Sequence, residues 1–373
     1  MNAPKLAGLA LCALLASPAA AVAQEISIAI AGPVTGSEAV SGRQMTDGAE
    51  LAVADINAAG GLLGKRLKFT VNDDACDPKQ ARSVAEKLAG TKVPFVVGHF
   101  CSGASIAASE VYADAGILAI TPASTATKLT DGKLWNVARV CGRDDQQGPV
   151  AAAHILKAFA GKNLAILHDK NTYGRGLADE TRKALNAAGF REKMFESFNR
   201  GEVDFSAIVS RLKRENVDLV YVGSYPQEAG LILRQMREQG LKTVLMSGDA
   251  LFDRTFVSLT GKDADGALFT FGPDPRGNPA AKAVIDRFKA KGVEPEGYVL
   301  HSYAAVQVWA QAAARAATTD ARQVMQTLKA GEWDTVMGKL SFDAKGDIKQ
   351  TGYVLWKWDG SGNAVELAPG KGS

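Results

Sequence analysis

The chain has 373 residues, 46% of them apolar and 7% aromatic, with 38 glycines, a length that can bury one large core or, as long chains usually divide, two. Its 43 basic residues nearly balance its 40 acidic ones, and removing residues 1–23 with their single Lys5 leaves a net charge of about +2. That balance excludes the strong basic field of a nucleic-acid or anionic-membrane binder and points to a small-molecule partner.

The first residues, M-N-A-P-K-L-A-G-L-A-L-C-A-L-L-A-S-P-A-A-A-V-A-Q, carry one lysine, a short apolar stretch and the small-x-small pattern Ala21-Val22-Ala23. They read as a signal peptide over 1–23, cut before Gln24, which sends the chain to the oxidising periplasm. Ser17-Pro18 interrupts the stretch, which argues against a retained anchor, and Leu-Ala-Leu before Cys12 does not fit a lipoprotein signal.

From Glu25 onward, strands at 26–31, 67–73, 93–98 and 117–121 are predicted to alternate with helices at 44–59, 78–89 and 105–115. After R-V-C-G-R-D-D-Q-Q-G a second series begins, with helix 146–159, strand 163–168, helix 174–188, strand 193–198, helix 205–215, strand 218–222, helix 227–239 and strands 243–247 and 267–270. Alternation of this kind specifies parallel sheet with right-handed crossovers, so the class is α/β with two doubly wound, Rossmann-like lobes. Helices at 279–291, 301–317 and 321–330 follow, then the aromatic strand Y-V-L-W-K-W-D-G and a Gly/Ser-rich end at 360–373. The first lobe has too few helices to cover both faces of its sheet, so the chain is expected to cross back to it.

The candidate chemistry sits at strand ends. Gly32-Pro33-Val34-Thr35-Gly36-Ser37 lacks the Gly-Lys-Ser/Thr close of a phosphate loop, and Gly174-Arg175-Gly176 falls short of a dinucleotide fingerprint, so no cofactor is expected. Ser102, in C-S-G-A-S, has neither a nucleophile elbow nor an assignable histidine, which argues against a hydrolase. It reads either as a helix N-cap or as a hydroxyl that, with the open N–H groups of a helix start, receives a carboxylate. A second loop of small and hydroxyl residues, T121-P-A-S-T-A-T127, follows the next strand. Two such loops at neighbouring strand ends mark the crevice where doubly wound sheets bind ligands. In the second half, Tyr173, Tyr225 and Asp249 occupy strand ends and could clasp an amino group.

Three cysteines remain after cleavage. Cys76 and Cys101 each follow a strand at its C-terminal end, where adjacent parallel strands would make a disulfide geometrically plausible. Cys141 is then a buried thiol or, as a second reading, an intermolecular link. His99 with Cys101 is a lone pair without metal-ligand spacing, and no metal is expected.

Taken together, D73-D-A-C-D-P-K-Q-A81, V97-G-H-F-C-S102, I120-T-P-A-S-T125, D145-Q-Q-G-P149, H168-D-K-N-T-Y-G-R-G-L-A178, D204-F-S206 with R211-L-K213, and T335-V-M-G-K-L-S-F-D343 resemble the leucine/isoleucine/valine-binding proteins, the periplasmic substrate-binding subunits of branched-chain amino acid ABC importers. The resemblance runs from about Glu25 to Trp358. It implies the type I periplasmic-binding fold, two lobes on a three-stranded hinge, with 24–143 plus 273–351 in one lobe and 144–272 plus 352–373 in the other. It also implies a monomer that closes on an amino acid and hands it to permease subunits, without enzymatic activity, and a Cys76–Cys101 disulfide. By position, Ser102 and Thr125, in the loop with Ser124, would hold the ligand carboxylate. The Ala123 carbonyl, the Thr125 hydroxyl and Asp249 would hold the ammonium, with Tyr173 and Tyr225 closing from the second lobe.

The chain departs from the family at the ligand's side chain. Asp249 stands where those proteins have a glutamate, Ser41 where they have a tyrosine, Phe100 a leucine and Tyr298 a phenylalanine. The expected ligand is therefore an amino acid, branched-chain or a related aliphatic or polar one. A ligand-sensing receptor of the same fold and a binder of amine-free carboxylates are the alternatives.

Overall fold

The computed structural model describes residues 25–350 and 352–367; the expected signal peptide and its cleavage site before Gln24 lie outside them. The first half of the chain builds β1 (Glu25–Gly32), α1 (Ala39–Ala58), β2 (Arg66–Asp73), α2 (Pro78–Ala89), β3 (Phe95–Gly98), α3 (Ser102–Ala115), β4 (Leu118–Thr121), α4 (Lys128–Asp131) and β5 (Val137–Arg139). These strands form an all-parallel sheet in the order β2-β1-β3-β4-β5.

The chain then builds α5 (Asp144–Ala158), β6 (Leu164–His168), α6 (Thr172–Ala187), β7 (Met194–Ser197), α7 (Ser206–Arg214), β8 (Leu219–Gly223), α8 (Pro226–Glu238), β9 (Val244–Ser247), α9 (Arg254–Thr260) and β10 (Leu268–Phe271). It returns to the first sheet with α10 (Lys282–Ala290), α11 (Val299–Ala316), α12 (Ala321–Ala330) and the hairpin β11 (Glu332–Thr335) and β12 (Gly338–Ser341). Finally β13 (Val354–Trp358) adds antiparallel to β10 and β14 (Ala364–Leu367) antiparallel to β13, completing a second sheet in the order β14-β13-β10-β9-β8-β6-β7. The fold is thus α/β with two lobes, and the chain passes between the sheets three times.

Local chemistry sets the elements. Strands β3, β4 and β8 are buried throughout and apolar but for Thr121 at the end of β4, as strands covered by helices on both faces must be. Helix α2 starts where the Asp77 carboxylate accepts from the N–H groups of Lys79 and Gln80, with Pro78 in the first turn, and α6 starts where the Asn171 side chain accepts from the Gly174 N–H. Helix α3 stops at Gly116, whose φ of 70° is left-handed.

The returning helix α11 supplies the missing cover: Trp309 stacks on Phe95 of β3 with ring centroids 4.5 Å apart. It approaches α1 at Gly48, where a Cβ would collide with the Val299 carbonyl. The first and third crossings are tied together by Asp347, which pairs with Arg139 at 2.6 Å and with Arg143 at 2.9 Å.

Several expectations are corrected. Helix α1 begins at Ala39, five residues before the predicted start, because the turn at 36–38 already feeds it. The predicted helix 279–291 is broken, with a 3-10 turn at Pro279–Ala281 before α10, since Pro279 sits in its first turn. Strand β5 and the β11–β12 hairpin were not predicted, and β14 lies inside the stretch read as Gly/Ser-rich tail. Their short length leaves too few alternations to register as strands.

Candidate functional site

The C-terminal ends of the parallel strands in the two sheets face each other, and the loops that leave them meet in one cleft. From the first sheet comes the turn after β3, carrying Phe100, Cys101 and Ser102. Cys76 and Cys101 form the disulfide, with Cα atoms 5.4 Å apart. The strands they follow, β2 and β3, are not neighbours: β1 lies between them, and the two loops meet over its end. Cys141 is buried and free, and burial pushes its thiol up.

Ser102 is the first residue of α3, and the N-cap position is Cys101, so Ser102 does not cap its own helix. Its buried hydroxyl instead accepts from the Ala126 N–H of the neighbouring loop at 3.3 Å. In that loop, the Ser124 hydroxyl bonds Ser105 (2.6 Å) and the Phe100 carbonyl (2.9 Å), and the Thr121 hydroxyl accepts from the Ser124 N–H (3.0 Å). Ala123 is buried beside them. The Thr125 hydroxyl is buried, and it is turned toward the Asp144 carboxyl. His99 is engaged by Asp74 on one ring nitrogen and by the Tyr112 hydroxyl on the other, so it is not available to Ser102. Among the described residues no cluster of three or more metal-ligating side chains exists.

The second sheet supplies Tyr173 from α6, Tyr225 before α8 and Asp249 after β9. Asp249 is buried and accepts three side-chain hydrogen bonds: from Gln147 Nε2 at 2.8 Å, from the Tyr173 hydroxyl at 2.9 Å and from the Tyr298 hydroxyl. Burial raises its pKa, and these three donors pull it back. Gln147 is itself fixed, its Oε1 accepting from the Asp249 N–H (2.8 Å) and the Thr270 hydroxyl (2.6 Å). An ionised carboxylate has about four lone-pair sites, so one remains for a further donor.

Tyr298 stands at the start of α11 in the first lobe, so its bond to Asp249 crosses the cleft. Phe100 meets Tyr298 edge-on at 5.2 Å and Tyr225 at 6.1 Å, and Tyr173 meets Tyr225 at 5.1 Å. These four rings make an aromatic wall drawn from both lobes. The Ser41 hydroxyl also crosses the cleft, donating to Asp253 of the second lobe at 2.6 Å.

Sequence reasoning missed four groups here. Gln147 orients Asp249. Arg200 reaches from the second lobe to the Cys76 carbonyl at 3.0 Å. Glu38 is buried, and desolvation pushes its carboxyl up to about 8. Asp144, at the first crossing, is buried and is pushed up by burial to about 8, with the Thr125 hydroxyl pulling it back in part. Gln147 was visible as part of D145-Q-Q-G-P149; nothing local marked the others. Behind Asp249, a cavity of about 60 Å³ sits where the three crossings meet, lined by Cys141, Gly272, Tyr353, Tyr298 and His301. Burial lowers the His301 pKa to about 4, so its ring is neutral there at physiological pH.

A family model described as periplasmic binding protein matches residues 25–363. The chain is 48% identical over 353 residues to Leu/Ile/Val-binding protein homolog 1 of Brucella suis, covering 94% of this chain and 95% of that one. It is 40% identical over 346 residues to the leucine-, isoleucine-, valine-, threonine- and alanine-binding protein of Pseudomonas aeruginosa, covering 92% and 93%. Among solved structures it is similar to the branched-chain amino acid transporter substrate-binding protein of Streptococcus pneumoniae in complex with isoleucine, with a TM-score of 0.84 and 27% identity over 93% of this chain and 100% of that one. The chain therefore belongs to the periplasmic binding protein family and is a solute binder rather than an enzyme.

Proposed function

We infer that this protein captures an amino acid, branched-chain or a related aliphatic or polar one, in the cleft between its lobes and delivers it to the membrane permease of an ABC importer. The observation that carries the reading is Asp249: a buried carboxylate held by donors from both lobes, with one acceptor site spare, beside an aromatic wall that also draws on both lobes. Such a group suits an ammonium, whose burial is tolerable only against a fixed counter-charge.

In this reading the ligand carboxylate meets Ser102, Thr125 and the Ser124 loop at the head of α3, where helix N–H groups and the helix dipole favour an anion. The Ala123 carbonyl and the Thr125 hydroxyl share the ammonium with Asp249. Tyr173 and Tyr225 close over the ligand, and Phe100, Tyr298 and Ser41 bound the space for its side chain. The lobes, 24–143 plus 273–351 and 144–272 plus 352–373, turn about the three crossings, and closure desolvates both ligand charges. Residues 1–23 act as the signal peptide, removed before Gln24, and the mature protein works as a monomer in the periplasm.

The test is a thermal-shift screen of the mature protein, stripped of bound ligand, against the amino acids and a panel of small carboxylates without an amine. A large upward shift with a group of amino acids is expected. Shifts with amine-free carboxylates alone would remove the ammonium role of Asp249.

A further inference from the structure

We propose that Arg200 is the positioning residue that latches the closed cleft and sets how long a ligand stays. The proposal rests on solute capture by lobe closure. Arg200 belongs to the second lobe, in the turn that follows β7. That turn is braced from three sides: the Gly201 N–H donates to Glu228 Oε1 at 2.9 Å, the Asn199 N–H donates to Glu202 at 3.0 Å, and Lys170 Nζ donates to the Asn199 side chain at 2.9 Å. The guanidinium is thus presented rather than loose.

Among the described residues, its side-chain hydrogen-bond partners all lie in the first lobe. Nη1 donates to the Cys76 carbonyl at 3.0 Å and touches the Cys76 sulfur at 2.9 Å, while Nη2 donates to the Ser37 hydroxyl at 3.3 Å and to Glu38 Oε1 at 3.2 Å. The same guanidinium lies over the Tyr225 ring, 5.0 Å from its centroid. One planar fork therefore joins the disulfide loop, the entry to α1 and the aromatic wall, a geometry an ammonium could not reproduce. Glu38 depends on this contact: among the described residues its buried Oε2 has no partner, so Oε1, shared by Ser37 and Arg200, is the oxygen that anchors it. When the lobes part, the guanidinium and the Glu38 carboxyl both return to water, so the contact is made on closing and broken on opening. Interactions formed late in association act on the dissociation rate.

The experiment compares wild type, Arg200→Ala and Arg200→Lys by stopped-flow mixing with L-isoleucine, L-threonine and L-alanine as probes. In Arg200→Ala, release is expected to be at least about tenfold faster with association changed less than about threefold, and Arg200→Lys should recover part of the loss. Ligand-free melting should stay near wild type, because the bonds removed join lobes and not the interior of either. Unchanged release, or a ligand-free melting temperature that falls as far as the liganded one, would overturn the latch. Should no probe bind wild type, the amino-acid reading falls by itself. The latch is then read without ligand, from spin-label distances between the lobes: Arg200→Ala must lower the closed population, and an equal population refutes the proposal.

Discussion

Replacing Asp249 by asparagine keeps the shape of the side chain and removes its charge. The carboxylate is buried and receives Gln147, Tyr173 and Tyr298, so the spare site for an ammonium lies in a region of low dielectric. At a separation of about 3 Å and an effective dielectric of about 20, the lost attraction is about 5 kcal/mol. Part of this is offset because the variant no longer desolvates a charge, leaving a net loss of roughly 2–4 kcal/mol, or about 30- to 900-fold in affinity for an amino acid. Ligand-free stability should move the other way or not at all, since burial raises the Asp249 pKa and the charge is a cost when unpaired. Isothermal titration and thermal melting together read both quantities. An Asp249→Asn protein that melts like wild type and binds the same amino acid within about threefold would refute the ammonium role.

Three further outcomes follow from the same geometry. Ser102→Ala should weaken binding by about three- to tenfold in the same titration, less than the loss at Asp249, because the N–H groups at the head of α3 remain as donors. Asp144 is held near 8 by burial against 3.8 for a free carboxyl, so the folded protein keeps a proton there that the unfolded chain has released. Its contribution to stability is therefore full at acid pH and falls as pH rises from about 4 to about 8. Asp144→Asn should flatten the decline of melting temperature over that window without abolishing it, since Glu38 and Asp169 are raised in the same direction, and an unaltered slope would contradict the assignment. Gly48→Ala should destabilise the first lobe by about 1–3 kcal/mol in denaturant unfolding, because the added methyl group meets the backbone of α11, which cannot shift alone.

Much of the fold was legible because it is written locally. Strand and helix alternate with clear periods from β1 to β10, the three-residue β5 excepted, and the shortage of helices around the first sheet foretold the return of α11. The candidate site was legible where strand ends carry hydroxyls, tyrosines and a carboxylate, since parallel sheets place those ends together. The partners of those residues were not. Tyr298 meets Asp249 from 49 positions away, Ser41 meets Asp253 from 212 and Arg200 meets Glu38 from 162. Contacts made only when two lobes meet leave no periodicity in either segment. The disulfide is instructive in another way: Cys76 and Cys101 pair although their strands are not adjacent, because the loops, not the strands, bring them together.

The central claim is that the cleft recognises an amine and a carboxylate on one molecule. It is tested most directly by titrating the stripped mature protein, in a calorimeter, with the amino acid giving the largest thermal shift and with its analogue lacking the amine. The account predicts saturable binding of the amino acid and a loss of at least about tenfold for the analogue. Equal affinity for the two would contradict it.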